Sequence, residues 1–435
     1  MKTQRTRRVL GVVAAASVSA IVLAGCAGSD AGGADGDVTL TLMAWANSDE
    51  AKMYEEVLAA FEKENPGVTV NLEYSDVGSY QDKLNTKFAA GSPPDVFFMV
   101  GGWIGEYTSR DALLDYAEYA DIIDFDAMDQ NLVAGSTSED GKVFSIPTGS
   151  TAAAIVANTG VIDELGVDLP DDATWSWEDF SEWAQSVTEA SGGATYGSFI
   201  DMSWPPTISA FARQHGENLF NEDGTLGITE ETALDWFELT QELIETQAFA
   251  PPETQDQTGA QSAEQSPFGR ELIATTVIPA NTLPSNANVL GDDNVKLLRY
   301  PGETEFEQPG MAVTPTLLWT SPATTKHPEE TAKLVEFLTN DPASYDARGT
   351  FLGVPINAEV AEQVAADLTP SEEQFVSFVT DLSQENLAPN IPDPANAGEV
   401  TANLTAIMTE LSFGRISPEE AAQKFIADSD ALLAE

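Results

Sequence analysis

VTLTLMAWANSDEAKMYEEVLAAFEKENPGVTVNLEYSDVGSYQDKLNTKFAAGSPPDVFFMV, residues 38–100, switches between two hydrophobic periods, and that switching decides the fold. Val38, Leu40 and Leu42 alternate with Thr39 and Thr41, which puts apolar side chains on one face of an extended segment. Tyr54, Val57, Leu58 and Phe61 then fall at the spacing that lines one side of a helix. Asn65, Pro66 and Gly67 stop it, because proline lacks the donor a continuing helix needs and glycine accepts left-handed dihedrals. Val68, Val70, Leu72 and Tyr74 alternate again, Tyr80, Leu84 and Phe88 form a second helical stripe, and Asp95 to Val100 is a nearly continuous apolar strand. Strands separated by helices of this length run parallel, with right-handed crossovers covering the sheet. The first strand ends in Trp45, Ala46, Asn47 and Ser48, and the third runs into Gly101, Gly102 and Trp103. In open α/β sheets ligands sit at such strand ends.

The full chain of 435 residues exceeds what one hydrophobic core usually serves, so two lobes are expected. Its formal net charge of -52 repels phosphate backbones and anionic membrane faces, which argues against nucleic-acid binding. Residues 1–25 follow the export pattern: the basic start MKTQRTRR, an apolar run from Val9 to Ala24, then small residues. A membrane-spanning helix needs roughly 20 apolar residues, and this run is shorter and rich in Ala, Gly and Ser. Cys26 is the sole cysteine, so no intramolecular disulfide forms. Residues 27–36, AGSDAGGADG, read as a flexible tether.

Further along, GKVFSIP (141–147) is a turn and strand, and Thr148 to Asn158 reads as a buried strand entering a second lobe. Ser176 and Asp179 have capping-box spacing, with Trp175 and Trp177 packing at that helix entry. Tyr196 to Trp204 is strand-like and is stopped by Pro205 and Pro206; a helix follows over Thr207 to His215. Glu230 to Glu245 is helical, Pro251 to Ser266 a polar loop, and Leu272 to Ile278 a buried strand that delivers Asn281 at its end. Met311 to Trp319 is strand-like, Pro328 begins a helix that Asp341 and Pro342 end, and Ser417 with Pro418 and Glu420 starts the last one.

Two resemblances sharpen this reading. Leu23, Ala24, Gly25, Cys26 resembles the bacterial lipoprotein cleavage box, which implies that Cys26 is acylated and becomes the mature first residue, holding the protein at the outer face of the cytoplasmic membrane. From Val38 to Ile426 the chain resembles the extracellular solute-binding proteins of ATP-driven importers, the sugar-binding family that includes maltose-binding protein. The segments that carry it are AAFEKENPGVTV (59–70), PPDVFFM (93–99), GKVFSIP, NLFNEDGTL (218–226), HPEETAKLVEFL (327–338), APNIPDPANAGEV (388–400) and GRISPEEA (414–421).

The resemblance implies an α/β fold of the two-lobed periplasmic-binding-protein type (type II-like), each lobe a mixed, mainly parallel sheet flanked by helices. Lobe 1 would hold residues 37–148 and 314–342, and lobe 2 residues 149–313 and 343–435, with crossings near Thr148, Val313 and Pro342. It implies a monomeric receptor that captures a mono- or oligosaccharide between closing lobes and delivers it to transmembrane permease subunits, with no cofactor, metal or catalysis. Its ligand-contact regions map to Trp45, Asn47, Ser48, Gly101, Gly102 and Trp103 in lobe 1, Ser150 and Thr151 in the crossing, and Asp201, Trp204 and Asn281 in lobe 2. Aromatic faces suit sugar C–H surfaces while polar groups meet hydroxyls. Where maltose-binding proteins carry tryptophans, this chain has Met99 and a small-residue run around Gly398, which argues against maltodextrin.

Alternatives stay open at this point. The same receptor fold could take a polyamine, peptide or polyol. A secreted hydrolase could use a carboxylate pair. Against it, only His215 and His327 exist and neither an HExxH nor a GxSxG motif is present. DFDAMDQ (124–130) lacks the glycine and glutamate of a calcium loop, and no repeat suggests an adhesin.

Overall fold

The computed structural model describes residues 37–138, 140–252, 262–306, 308–385, 391 and 393–434. The export segment, Cys26 and the tether lie outside the described residues, as do residues 253–261 of the polar loop. The chain runs β1 (Val38–Trp45), α1 (Ser48–Glu64), β2 (Val68–Ser75), α2 (Val77–Ala89), β3 (Val96–Met99), α3 (Gly101–Thr108) and α4 (Gln130–Ala134). It continues through β4 (Ser145–Pro147), β5 (Ser150–Asn158), α5 (Thr159–Leu165), α6 (Trp177–Ala190), β6 (Tyr196–Phe199), α7 (Pro205–Gln214) and α8 (Glu230–Glu245). Then come β7 (Ile273–Pro279), β8 (Val295–Leu298), β9 (Val313–Pro315) and β10 (Leu318–Thr320); later helices are named by their residues.

Two mixed sheets result. The first has the order β2-β1-β3-β10-β4, with β1 parallel to β2 from Val38↔Val68 to Trp45↔Ser75 and parallel to β3 at Leu42↔Val96. The second has the order β6-β7-β5-β8, and β9 pairs with the first residues of β5. In each sheet one strand opposes the rest: β10 is antiparallel to both β3 and β4, and β5 to both β7 and β8. Both reversed strands bring the chain in from the other lobe. The mainly parallel direction expected from the helical crossovers therefore holds within each lobe and breaks where the lobes are joined.

Each sheet is buried against helices. Tyr54, Val57, Leu58 and Phe61 of α1 are almost wholly covered in the first core, together with Phe97, Phe98 and Trp319. Covering such a side chain contributes about 1.5–3 kcal/mol, which is why the helical stripe in the sequence was informative. Trp175 and Trp177 pack in the second core beside Phe180 and Trp236, and the Ser176–Asp179 capping box starts α6 as its spacing predicts.

Three chain segments hydrogen-bond into a hinge. Ser150 and Val354 exchange N–H···O bonds of 2.8 Å each, Thr316 donates to Gly149 (2.9 Å), and Thr148 donates to Leu317 (2.9 Å). The third crossing differs from the expected position near Pro342. Ala343, Ala347, Leu352 and Ile356 pack with the first core, Asp129 donates to Ile356 (2.8 Å), and the second core is rejoined at Phe375 on the helix Pro370–Ser383. Residues 343 to about 364 therefore belong with lobe 1. The physical reason is local: the Asp341 side chain accepts from Ala343 N–H, so the Asp-Pro pair that ends one helix also caps the next turn.

Candidate functional site

The order β2-β1-β3 places a topological switch point between β1 and β3, where crossovers leave in opposite directions and strand ends splay. Tyr80 of α2 fills the splay: its hydroxyl donates to the Met43 carbonyl (3.0 Å) and accepts from Phe98 N–H (2.8 Å). Burial pushes that phenol far up. Above it, Trp45 meets Tyr80 edge-on at 5.7 Å, and Trp103 stacks on Tyr80 at 6.4 Å while meeting Trp45 edge-on at 6.4 Å. Trp45 and Trp103 are both half-buried, so this aromatic corner keeps indole surface accessible.

The polar residues beside it start helices. Asn47 Oδ1 accepts from Glu50 N–H (3.0 Å) and Glu50 accepts from Asn47 N–H (2.8 Å), a reciprocal cap on α1 next to exposed Ser48. Gly101 and Gly102 form the first turn of α3, which begins immediately after β3. In the second lobe, Asp201 follows β6, lies exposed, and accepts from Ser203 N–H (2.9 Å) and Oγ (2.7 Å). Trp204 caps α7 ahead of Pro205 and Pro206; its half-buried ring belongs to neither core cluster.

Ser150, Thr151 and Asn281 are brought together at the hinge rather than at the aromatic corner. Asn281 donates its side-chain amide to the Phe351 carbonyl (3.0 Å) and accepts from Thr151 Oγ1 (3.1 Å), while Ser150 Oγ donates to Val354 O (3.4 Å). Their polar atoms are engaged within the protein. The structure therefore gathers the expected residues into three sets: the corner at β1 and β3, the Asp201–Trp204 strand end, and the hinge.

A fourth feature was missed from the sequence. Ala395, just ahead of the helix Ala397–Ser412 of lobe 2, lies against α3 of lobe 1 so closely that a Cβ on Gly105 would sit 2.9 Å from Ala395 Cα. Asp393 is presented to the start of the same helix: Oδ2 lies 3.4 Å from where a Cβ of Gly102 would stand and 3.7 Å from that of Gly101. Residue 393 keeps an accessible face, yet protein crowds its carboxyl and pushes the pKa up to about 6. The signal was available in the spacing of Gly101, Gly102 and Gly105, a cleared face on one helix. The same lobe 2 helix reaches the other strand end, where Thr405 Oγ1 donates to Ser203 Oγ (3.3 Å).

Residues 44–345, well over half the chain, match the family of bacterial extracellular solute-binding proteins. The chain belongs to that family. A Brucella abortus chain described only as a binding protein is 24% identical over 410 residues, 92% of this chain and 93% of its own length. The lactose-binding protein of Rhizobium radiobacter is 24% identical over 220 residues, 49% of this chain and 50% of its own. Among solved structures, a periplasmic oligogalacturonide-binding protein of Yersinia enterocolitica in complex with saturated digalacturonic acid superposes with a TM-score of 0.79 at 20% identity, covering 91% of this chain and 99% of that one.

In this extracellular solute-binding protein a buried network braces the end of α7, the helix that Trp204 precedes. Glu303 accepts from Gln214 Nε2 (2.9 Å), Gly310 N–H (2.8 Å) and Met311 N–H (3.2 Å), and Trp177 Nε1 donates to Gln214 Oε1 (3.1 Å). Burial raises the Glu303 carboxyl and lowers the neighbouring Arg213 to about 10. Of the two histidines of this solute-binding protein, His215 Nδ1 lies 2.8 Å from Phe211 O between two phenylalanine rings, and His327 stands at the start of the helix Pro328–Asn340 with its backbone N–H donating to Thr325 Oγ1 (3.3 Å). A concavity of about 370 Å³ elsewhere on lobe 1, between β2 and α2, is a surface groove bordered by the Lys87–Glu73 ion pair and is lined by none of the expected ligand-contact residues. Among the described residues no helix is long and apolar enough to cross a membrane, and no cluster of His, Cys, Asp and Glu could hold a metal.

Proposed function

We propose that this solute-binding protein is the receptor of an ATP-driven importer, that it captures a mono- or oligosaccharide between its lobes, and that it releases it to membrane permease subunits. The observation that carries the reading is the pairing of a hydrogen-bonded hinge with accessible indole surface at strand ends of both lobes: Trp45 and Trp103 on one, Trp204 on the other. A solute touching both sides binds the closed arrangement better and shifts the population toward it, which needs differential affinity and no chemistry. Flat apolar faces with adjacent hydroxyl-binding groups suit carbohydrate. The lactose- and digalacturonate-binding names of two relatives agree with that class.

A thermal-shift screen of residues 27–435 against sugars, polyols, polyamines and peptides tests it. A ligand at 100 times its dissociation constant stabilises by about 2.7 kcal/mol. A sugar that raises the melting temperature and is recovered unaltered supports the reading; a response confined to polyamines or peptides overturns the sugar, and steady turnover overturns the receptor. Trp204→Ala is expected to weaken the sugar found in that screen about tenfold or more with the melting temperature of the free protein within a few degrees; unchanged affinity removes Trp204 from the site. We also infer attachment through acylated Cys26. Cys26→Ser should move the protein from the membrane to the soluble fraction of the producing cell, and continued membrane retention would refute the anchor.

A further inference from the structure

We propose that Asp393 sets the charge of the accepted solute: presented across the lobe contact to the start of α3, its carboxylate receives hydroxyl or ammonium donors and turns away uronates and other anions. The inference rests on the carbohydrate reading above and names the class of sugar.

Three observations combine. Asp393 belongs to lobe 2, while the turn it faces, Gly101 and Gly102, belongs to lobe 1 and directly precedes Trp103 of the aromatic corner. A carboxylate so placed lies where the lobes meet, at the turn that leads directly into Trp103. Second, Asp393 takes part in no hydrogen bond or ion pair among the described residues, and burial is the sole cause of its raised pKa. Residue 393 is exposed, so its carboxylate, unpaired among the described residues, is open to hydroxyl or ammonium donors brought by a solute. Third, helix starts attract anions through their free N–H groups and dipole, and here a side chain of the protein already faces that position. An incoming uronate would have to displace Asp393 or stand next to it, and two carboxylates in one crowded site cannot both stay ionised. The net charge of -52 acts in the same direction at long range.

The test is isothermal titration of residues 27–435, wild type and Asp393→Asn, at neutral pH against matched probes: galactose and glucose oligosaccharides, their amino sugars, and digalacturonate. Expected for the wild type is binding of a neutral or amino sugar with digalacturonate at least a hundredfold weaker. In Asp393→Asn that ratio should shrink at least tenfold, through weaker binding of the amino or neutral sugar, tighter binding of the uronate, or both. Preference of the wild type for digalacturonate, or an unchanged ratio in a variant with wild-type melting temperature, overturns the role of Asp393 and leaves the sugar receptor standing. Silence toward every sugar, neutral, amino or acidic, overturns the carbohydrate reading itself and this inference with it. Asp393→Glu, which keeps the charge, should retain the exclusion of uronate; its loss there would point to shape rather than charge and overturn the proposal.

Discussion

The lobes of this solute-binding protein meet at a hinge and at a lip, and the two contacts are built in opposite ways. At the hinge, backbone groups of residues 148–150, 316–317 and 354 are paired with one another, and Asn281 ties Thr151 to Phe351. Gly353 sits there at φ +103, with no room for a side chain: a Cβ would lie 2.3 Å from Thr316 Oγ1 and 2.7 Å from Ser150 O. At the lip, α3 also clears a face with glycines, but Asp393 opposite it has no hydrogen-bond partner among the described residues. A contact tied by paired backbone groups persists through motion, whereas one without such pairs is free to part. On the proposed function, the hinge is expected to persist and the lip to open and close.

The largest effect should come from breaking the hinge. Gly353→Ala combines left-handed strain with overpacking and is expected to cost about 3 kcal/mol of stability, read as a lower urea midpoint. A variant as stable as the parent would mean the hinge is looser than its hydrogen bonds imply. Next comes the lip. Gly105→Val puts a branched side chain where Ala395 Cα would lie 2.9 Å from its Cβ, so the lobes cannot approach as they do here. Stability should change by about 0.5 kcal/mol or less while solute affinity falls about tenfold. Equal losses in both quantities would show that the lip is part of the permanent structure.

The smallest effect is a pH dependence. The Asp393 carboxyl titrates near 6 in this arrangement, above the ordinary 3.8, because protein displaces its water. A raised acid contributes stability that is fully present below about pH 3.8 and is lost as pH rises through 6. The melting temperature of the solute-free wild type should therefore fall relative to Asp393→Asn between pH 4 and 7. Parallel curves would place the carboxyl in water, and the lip open, in solution.

Much of the fold was legible because it is local. The alternation of Val38, Leu40 and Leu42, the stripe from Tyr54 to Phe61, and the caps at Ser176, Pro328 and Ser417 each declare themselves within a few residues, and the structure forms them where the spacing says. The aromatic corner was partly legible too, since Trp45 and Trp103 follow strands that had to be parallel. The partners of the hinge residues were not legible for a physical reason: nothing near Ser150, Thr151 and Asn281 in sequence announces Phe351 or Val354. The third crossing was misplaced because Asp341 and Pro342 stop one helix and begin another with the same chemistry.

By itself, then, the sequence determined the helices, the strands and the parallel sense of those joined by helices, because period, caps and proline act over a turn or two. Only the tertiary structure decided that one reversed strand enters each sheet, that residues 343 to about 364 stay with the first lobe, and that Asp393 faces Gly102. Those are meetings between segments far apart in the chain, fixed by how two packed cores fit together and not by the preferences of the residues that meet.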